Sequence, residues 1–143
     1  VLNSHGGNEF KPIIRDLQNE FNILIVLVNF YQIEPELLED IFDEAGDHAD
    51  EMETSLMLYL SPGRVHLEFA GNGAHVPFQV SGLNQSGVWT PRPWRQSHPD
   101  FGAGNPAAAT AEKGKEYFEK ICQRIKEVIV GLSKAEKGEL PYI

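Results

Sequence analysis

One cysteine, Cys122, is all the chain carries, so no internal disulfide can brace the fold, and a reducing cytoplasm is the expected compartment. Basic residues are scarce: 12 Lys and Arg face 21 Asp and Glu, giving a formal charge of -9 that is poorly suited to tracking phosphates. Nucleic acid is therefore not expected as a partner. No apolar run approaches the ~20 residues of a membrane-spanning helix; the longest, Ile23 to Phe30, is interrupted by Asn29. No membrane contact is expected either. A basic, apolar leader with a small-residue cleavage site is missing. So are a Gly-x-Ser-x-Gly elbow, a His-Glu-x-x-His pair and a phosphate loop with its lysine. Gly102 to Ala107 has the spacing of a dinucleotide fingerprint, but no apolar strand precedes it and Pro106 interrupts it, so the match is rejected.

What is present suits one core and one domain spanning 1–143, given 143 residues with 41% apolar content. Val1-Leu2 reads as the end of a strand. Phe10, Ile13, Ile14, Leu17 and Phe21 recur at helical spacing, with Pro12 in a first turn where it is tolerated. Ile23 to Phe30 follows as a β-branched run, the pattern of a strand covered on both faces, as parallel strands are. Strand, helix, strand predicts a right-handed βαβ unit with His5 and the Asn29–Gln32 stretch on one edge. Short helices are expected over Glu34–Phe42, with Leu37, Leu38 and Ile41 inward, and over Ala49–Leu60, stopped by Ser61-Pro62-Gly63. Arg64 to His75 reads as a turn and a short strand. Gly71 to Pro106, rich in Gly, Pro, Asn and Ser, reads as one long irregular segment, functional or disordered. Ala107 to Lys134 closes the chain as an amphipathic helix with Ile121, Ile125 and Val128 on its inner face. The fold class is α/β, a mainly parallel sheet flanked by helices.

Chemistry concentrates in two stretches, Asn3-Ser4-His5-Gly6-Gly7-Asn8 and Asp47 to Ser55. His5 stands where a strand gives way to a helix, a place where open α/β proteins put ligands. Gly6 and Gly7 would let a metal or substrate approach the backbone. The alternative is a plain tight turn with Asn8 as the helix N-cap. Glu53 has Leu56, Met57 and Leu60 at i+3, i+4 and i+7, which predicts a carboxylate on the buried face of its helix. A carboxylate there needs a cation, hydrogen-bond donors or a proton. A metal and a neighbouring helix N-terminus remain equal alternatives. His48, at the expected helix start, is placed to stay neutral and act as a base, or else simply to cap. Asp47 either orients His48 or caps that helix, and capping is the simpler role. His66 and His75 read as surface or loop residues. Trp89, Pro91, Arg92, Pro93, Trp94 and Arg95 form an aromatic and cationic patch suited to a pocket wall, a subunit contact or ordinary packing. Cys122, beside Ile121, reads as a packed thiol.

Three stretches in register, Asn3–Asn8, His48–Leu58 and Gly104-Asn105-Pro106 running into Ala109–Gly114, resemble the creatininase (creatinine amidohydrolase) family. The resemblance implies a central, mainly parallel sheet and two divalent metal ions, zinc, manganese or iron. It implies metal-activated water hydrolysing a small cyclic or linear amide or formamide C–N bond, in a homo-oligomer, often a hexamer. By position it makes His5 and Glu53 metal residues, His48 and Asp47 catalytic residues beside the substrate, and Gly6, Gly7 and Asn8 substrate-binding residues. Creatinine-cleaving members carry a glutamate where this chain has Gly7, and an aromatic residue near Asp43, Glu44 and Ala45; both departures argue against creatinine as substrate. The family's opening Glu-x-His pair and bridging Asp are missing. The chain is thus expected to be the C-terminal part of such an enzyme, its N-terminal metal-binding half absent and its own activity lacking. The alternative is a catalytically silent member acting in assembly or partner binding.

Overall fold

The computed structural model describes residues 1–21, 23–44 and 46–135; Ala45, one of the positions where the family aromatic is missing, lies outside them. Two compact units emerge, one from Val1–Glu36 and Phe118–Ile143, the other from Leu37–Tyr117.

In the first unit, β1 (Leu2–Asn3), α1 (Phe10–Glu20) and β2 (Val28–Asn29) form the expected βαβ unit. β1 and β2 pair in parallel, Leu2 opposite Val28 and Asn3 opposite Asn29. The Val1 ammonium adds a bond to Val26 O at 2.8 Å, and Val28 N donates to Val1 O at 2.8 Å. The strand expected over Ile23–Phe30 is shorter than its apolar run. A ladder exists only alongside a neighbour, and β1 supplies a neighbour to its last residues alone. Ile23 and Leu24 are exposed, and Phe30 already turns into a 3-10 segment, Phe30–Gln32. α1 follows its predicted periodicity, yet none of its residues is buried and Ile13, Leu17 and the adjoining Phe21 are exposed. Its N-cap position is Glu9, without a side-chain cap, so Asn8 does not fill that role. Within this unit Arg124 of α5 (Ala111–Ser133) clamps Glu34 through Nε at 2.5 Å and Nη2 at 3.0 Å, which lowers the Glu34 carboxyl below its usual range.

The second unit is built on α2 (Pro35–Ile41), α3 (Glu51–Leu60), the single turn α4 (Trp94–Ser97) and the first turns of α5. Leu37, Ile41, Phe42, Ala109 and Tyr117 are its buried apolar residues, with Phe42 edge-on to Tyr117 at 5.5 Å. Burial pushes the Tyr117 phenol up to about 12. Arg64 to His75 holds the 3-10 turns Pro62–Arg64 and Leu67–Phe69 at its start and no strand among the described residues, so the short strand expected there is not formed. Gly71–Pro106 is irregular, as its composition predicts, apart from Ser81–Asn84 and α4. Its backbone is nonetheless tied together, by Val76 N to Ser97 O at 2.7 Å and Gly104 N to Gly73 O at 3.2 Å. The chain is helix-rich with a small parallel sheet. No helix among the described residues is long and apolar enough to cross a membrane.

Candidate functional site

Asn3, only 3% exposed, organises the turn after β1. Its amide nitrogen donates to His5 O at 3.0 Å and Asn29 Oδ1 at 2.9 Å, while its Oδ1 accepts from His5 N at 3.2 Å and Asn8 Nδ2 at 2.9 Å. Asn8 N closes the turn onto His5 O at 3.2 Å. The His5 ring folds back, and its Nδ1 accepts from Gly7 N at 3.0 Å. A Cβ at Gly7 would come within 3.1 Å of that ring, so the small residue is what lets the imidazole lie over the turn. Asn3→Asp turns the donor toward Asn29 Oδ1 and His5 O into a charged acceptor. It is expected to cost about 2 kcal/mol and to accelerate amide exchange at His5 and Asn8. Unchanged exchange at both would show that the turn holds without Asn3.

In the second unit the Asp47–Ser55 stretch precedes and enters α3. Its backbone is fixed by an antiparallel bridge to Ala103: His48 N donates to Ala103 O at 3.1 Å, Ala103 N to His48 O at 2.8 Å, and Asp47 N to Ala103 O at 2.7 Å. The second motif thus meets the residue just before the third. Asp50 is the N-cap of α3, its Oδ1 accepting from Glu53 N at 2.9 Å. Burial, with the nearby Glu53 and Asp47 carboxylates, raises the Asp50 carboxyl above its ordinary value, against bonds from Glu53 and Met52 N–H. Ala49 sits in the left-handed region at φ 48°, a conformation costing roughly 1 kcal/mol for a residue with a Cβ. Its N–H points at Glu53 Oε2, 2.6 Å away.

Those contacts correct two sequence expectations. Glu53 is not on the buried face of α3: its side chain is about one-third exposed and closes the N-terminus of its own helix through Ala49 N–H. Met57 and Leu60, on its side of the helix, are exposed as well. The submerged acid is Glu51, 0% exposed, with Ser55 one turn on. Its Oε2 accepts from Asp43 N at 2.9 Å and Glu44 N at 3.1 Å, and Lys113 of α5 bonds its Oε1. Lys113 also reaches Asp43 Oδ2 at 2.8 Å and Ala108 O at 3.3 Å, and these carboxylates raise its ammonium above the ordinary lysine value. The second correction concerns Asp47, which does not cap α3. Its Oδ2 is held by Arg92 Nη1 at 2.5 Å.

Around Asp47 and His48 the aromatic and cationic patch is partly an inner structure. Arg92 lies over the Trp94 ring at 4.5 Å, the His48 ring meets Trp94 edge-on at 5.3 Å, and His98 stacks on Trp94 at 4.0 Å. Trp94 Nε1 donates to Phe101 O at 3.2 Å. Trp89, by contrast, is exposed. His48 Nδ1 lies 3.9 Å from Glu53 Oε2, close enough for an ion pair when the ring is protonated. Beside this cluster opens a cavity of about 930 Å³ whose wall includes Asp47, His75, Phe78, Leu83, Arg92 and His98. His75 is a loop residue, as expected, but lines this wall, whereas His66 pairs outside it with Glu68 at 3.3 Å. Sequence reasoning passed over His98, 2% exposed, whose ring is held below its usual pKa by burial and by Arg92 and His75. It also passed over Asp100, which accepts from Gly73 N at 3.0 Å and Gly102 N at 3.1 Å and is thereby kept ionised at lower pH than usual. The Trp94-x-x-x-His98 spacing, one helical turn, was the available signal.

Asp47, His48 and Glu53 are brought together in the second unit, while His5, Gly6, Gly7 and Asn8 belong to the first. No group of three or more His, Cys, Asp or Glu side chains among the described residues is arranged to hold a metal ion. His5 and Glu53 each spend an acceptor on a local N–H. The described donors thus do not by themselves amount to the three or four ligands of a metal centre.

The family model described as "Creatininase: Creatinine amidohydrolase" matches residues 1–129. A solved candidate creatinine amidohydrolase from Bacteroides fragilis is 37% identical, with a TM-score of 0.87 over 96% of this chain and 55% of its own. A creatinine amidohydrolase (creatininase) structure is 20% identical, TM-score 0.63, over 89% of this chain and 50% of its own. A mutant creatininase complexed with creatine is 19% identical, TM-score 0.69, over 94% and 56%. At those two identities the likeness is one of fold. The chain spans about half the length of the solved relatives it matches. No curated protein matches it significantly.

Proposed function

The chain belongs to the creatininase family, and on that premise we propose that it is the C-terminal part of a metal-dependent amidohydrolase acting on a small cyclic or linear amide or formamide. The reading is carried by one observation: His48 lies 3.9 Å from the Glu53 carboxylate, next to the cavity that Asp47 and Arg92 help to wall. Two points support the partial chain. The family's Glu-x-His and bridging Asp are missing from the sequence, and α1 leaves its apolar stripe uncovered among the described residues. The same reading makes the assembled enzyme a cytoplasmic homo-oligomer, a hexamer by family resemblance.

In this scheme His5 and Glu53 are each metal residues for divalent ions, zinc, manganese or iron, with the further ligands supplied by the rest of the protein. A solved mutant creatininase of Zn-Zn type supports a zinc-compatible family. Such ions supply water activation and carbonyl polarisation. The rest falls to this chain's own side chains. His48, partly exposed and steered by the Glu53 carboxylate, takes up a proton and delivers it to the departing amine. Asp47, fixed by Arg92, sets the polar rim of the substrate cavity, and Gly6, Gly7 and Asn8 provide backbone access beside His5. The Gly7 departure directs the reading away from creatinine toward formamides or modified peptides.

A second reading, a catalytically silent member acting in assembly or partner binding, draws on the local use of the Glu53 carboxylate by Ala49 N–H. Metal content and turnover separate the two. Mixed with the N-terminal segment of a relative and Zn²⁺ or Mn²⁺, the chain is expected to take up about two ions per complex and to hydrolyse a formamide, whereas the chain alone does neither. Turnover by the 143 residues alone would overturn the partial-enzyme reading; a metal-free, inert complex would favour the silent one.

A further inference from the structure

The cavity in the second unit has a chemistry that the family assignment does not specify. Its charged wall residues are Asp47 and Arg92, and they are bonded to each other at 2.5 Å. The pair offsets the two charges on this wall, while both side chains stay about half exposed. Val76, Pro77, Phe78, Leu83 and Val88 give the wall an apolar part, beside the polar Asn84, Gln85 and Ser86. The buried polar residue on this wall is His98, 2% exposed, with its ring stacked on Trp94 at 4.0 Å.

The hydrogen bonds around His98 fix which nitrogen is available. Ser97 Oγ lies 3.3 Å from Pro93 O and 2.8 Å from His98 Nδ1. A hydroxyl has one hydrogen, so both contacts are bonds at once only if it donates to Pro93 O and accepts from Nδ1–H. With both bonds made, the ring proton sits on Nδ1 and Nε2 is a bare acceptor. Among the described residues Nε2 takes no hydrogen bond. Burial, Arg92 and His75 disfavour the imidazolium more than Asp47 and Asp100 favour it, so the ring stays neutral near pH 7.

We propose that this cavity recognises an uncharged amide by its N–H, with His98 Nε2 as the acceptor and an apolar substituent of the amide lying against Phe78, Leu83 and Val88. The inference rests on the amidohydrolase reading for its choice of an amide, and it makes His98 a specificity-determining residue beside His48 and Asp47. An amide bearing a formal charge gains less here, because Asp47 and Arg92 already offset each other.

The test uses the metal-free, full 143-residue chain and measures binding, so failure of hydrolysis by an assembled enzyme would leave its result standing. Formanilide is the neutral amide probe, with benzoate and benzylamine as the anionic and cationic comparisons. Formanilide is expected to bind and to move the ¹⁵N resonance of an unprotonated His98 Nε2, with the two charged probes binding more weakly. His98→Phe, which keeps a ring against Trp94, should weaken formanilide by roughly tenfold, the worth of one neutral hydrogen bond. His98→Gln, which returns an acceptor near the Nε2 position, should recover most of that loss. An Nε2 that carries the proton in the unliganded chain, a ¹⁵N resonance indifferent to formanilide, or benzoate binding as tightly as the amide would each overturn the proposal. The resonance test needs no variant, so it stands even where His98→Phe fails to fold.

Discussion

Gly114→Ala is expected to destabilise the chain by about 3 kcal/mol, the upper end of what overpacking costs, and to leave little cooperatively folded protein. Gly114 lies in the first turns of α5, where a Cβ would sit 1.9 Å from Ser55 O and 2.3 Å from Ser55 C. Those are backbone atoms of α3, unable to swing aside as a side-chain tip does. Two hydrogen bonds also join the head of α5 to α3: Thr110 N donates to Ser55 Oγ at 3.2 Å, and Lys113 Nζ donates to Glu51 Oε1. Pushing α5 outward would strain all of them together. Gly131→Ala, in the same helix but facing open space, is the control. It should be neutral or stabilising by up to about 1 kcal/mol, the ordinary preference of a helix for alanine over glycine. Urea unfolding of the two variants decides the matter, and equal midpoints would mean that α3 and α5 do not approach at Gly114.

Glu51→Ala should cost about 3 kcal/mol, as removal of one member of a buried ion pair does. The loss strips the acceptor from Asp43 N and Glu44 N and removes the buried partner of Lys113. Glu51→Gln should recover part of it, since an amide oxygen still receives the two N–H groups but the amide nitrogen then faces a cation. Glu53→Ala, two residues on, removes a bond to Ala49 N–H and should cost only about 1 kcal/mol, the scale of a helix cap. Thermal or urea midpoints of the three variants check the order. A larger loss at Glu53 than at Glu51 would reverse the assignment of the structural acid.

This pair of acids also marks how far sequence reasoning reaches. α3 was legible in its extent, expected over Ala49–Leu60 and observed over Glu51–Leu60 before Ser61-Pro62-Gly63, but its cap is Asp50 rather than Asp47. The inward face was not. Residues 51 and 53 differ by about 200° around a helix, and Leu56, Met57 and Leu60 suggested the side on which Glu53 lies. The side that is covered is decided by what arrives from elsewhere, namely the head of α5, with Lys113 to match a carboxylate and Gly114 to permit close approach. Likewise Asp47 was assigned to a local cap because capping is a near-neighbour interaction, whereas its partner Arg92 comes from the irregular segment, where no periodicity predicts a contact. His98 escaped notice for the same reason.

The residues alone determined the βαβ order with its parallel strands, the approximate positions of α1, α2, α3 and α5, and the motifs that carry family membership. Each follows from backbone preference, apolar period or residue identity within a short window. Tertiary structure alone decided how much of the Ile23–Phe30 run is strand, which acid of α3 is buried, and that Asp47, Arg92, Trp94 and His98 share one cluster beside a cavity. Those outcomes depend on partners far away in the chain. A strand needs a neighbour, a buried charge needs a counterion, and neither is specified by the residues on either side of it.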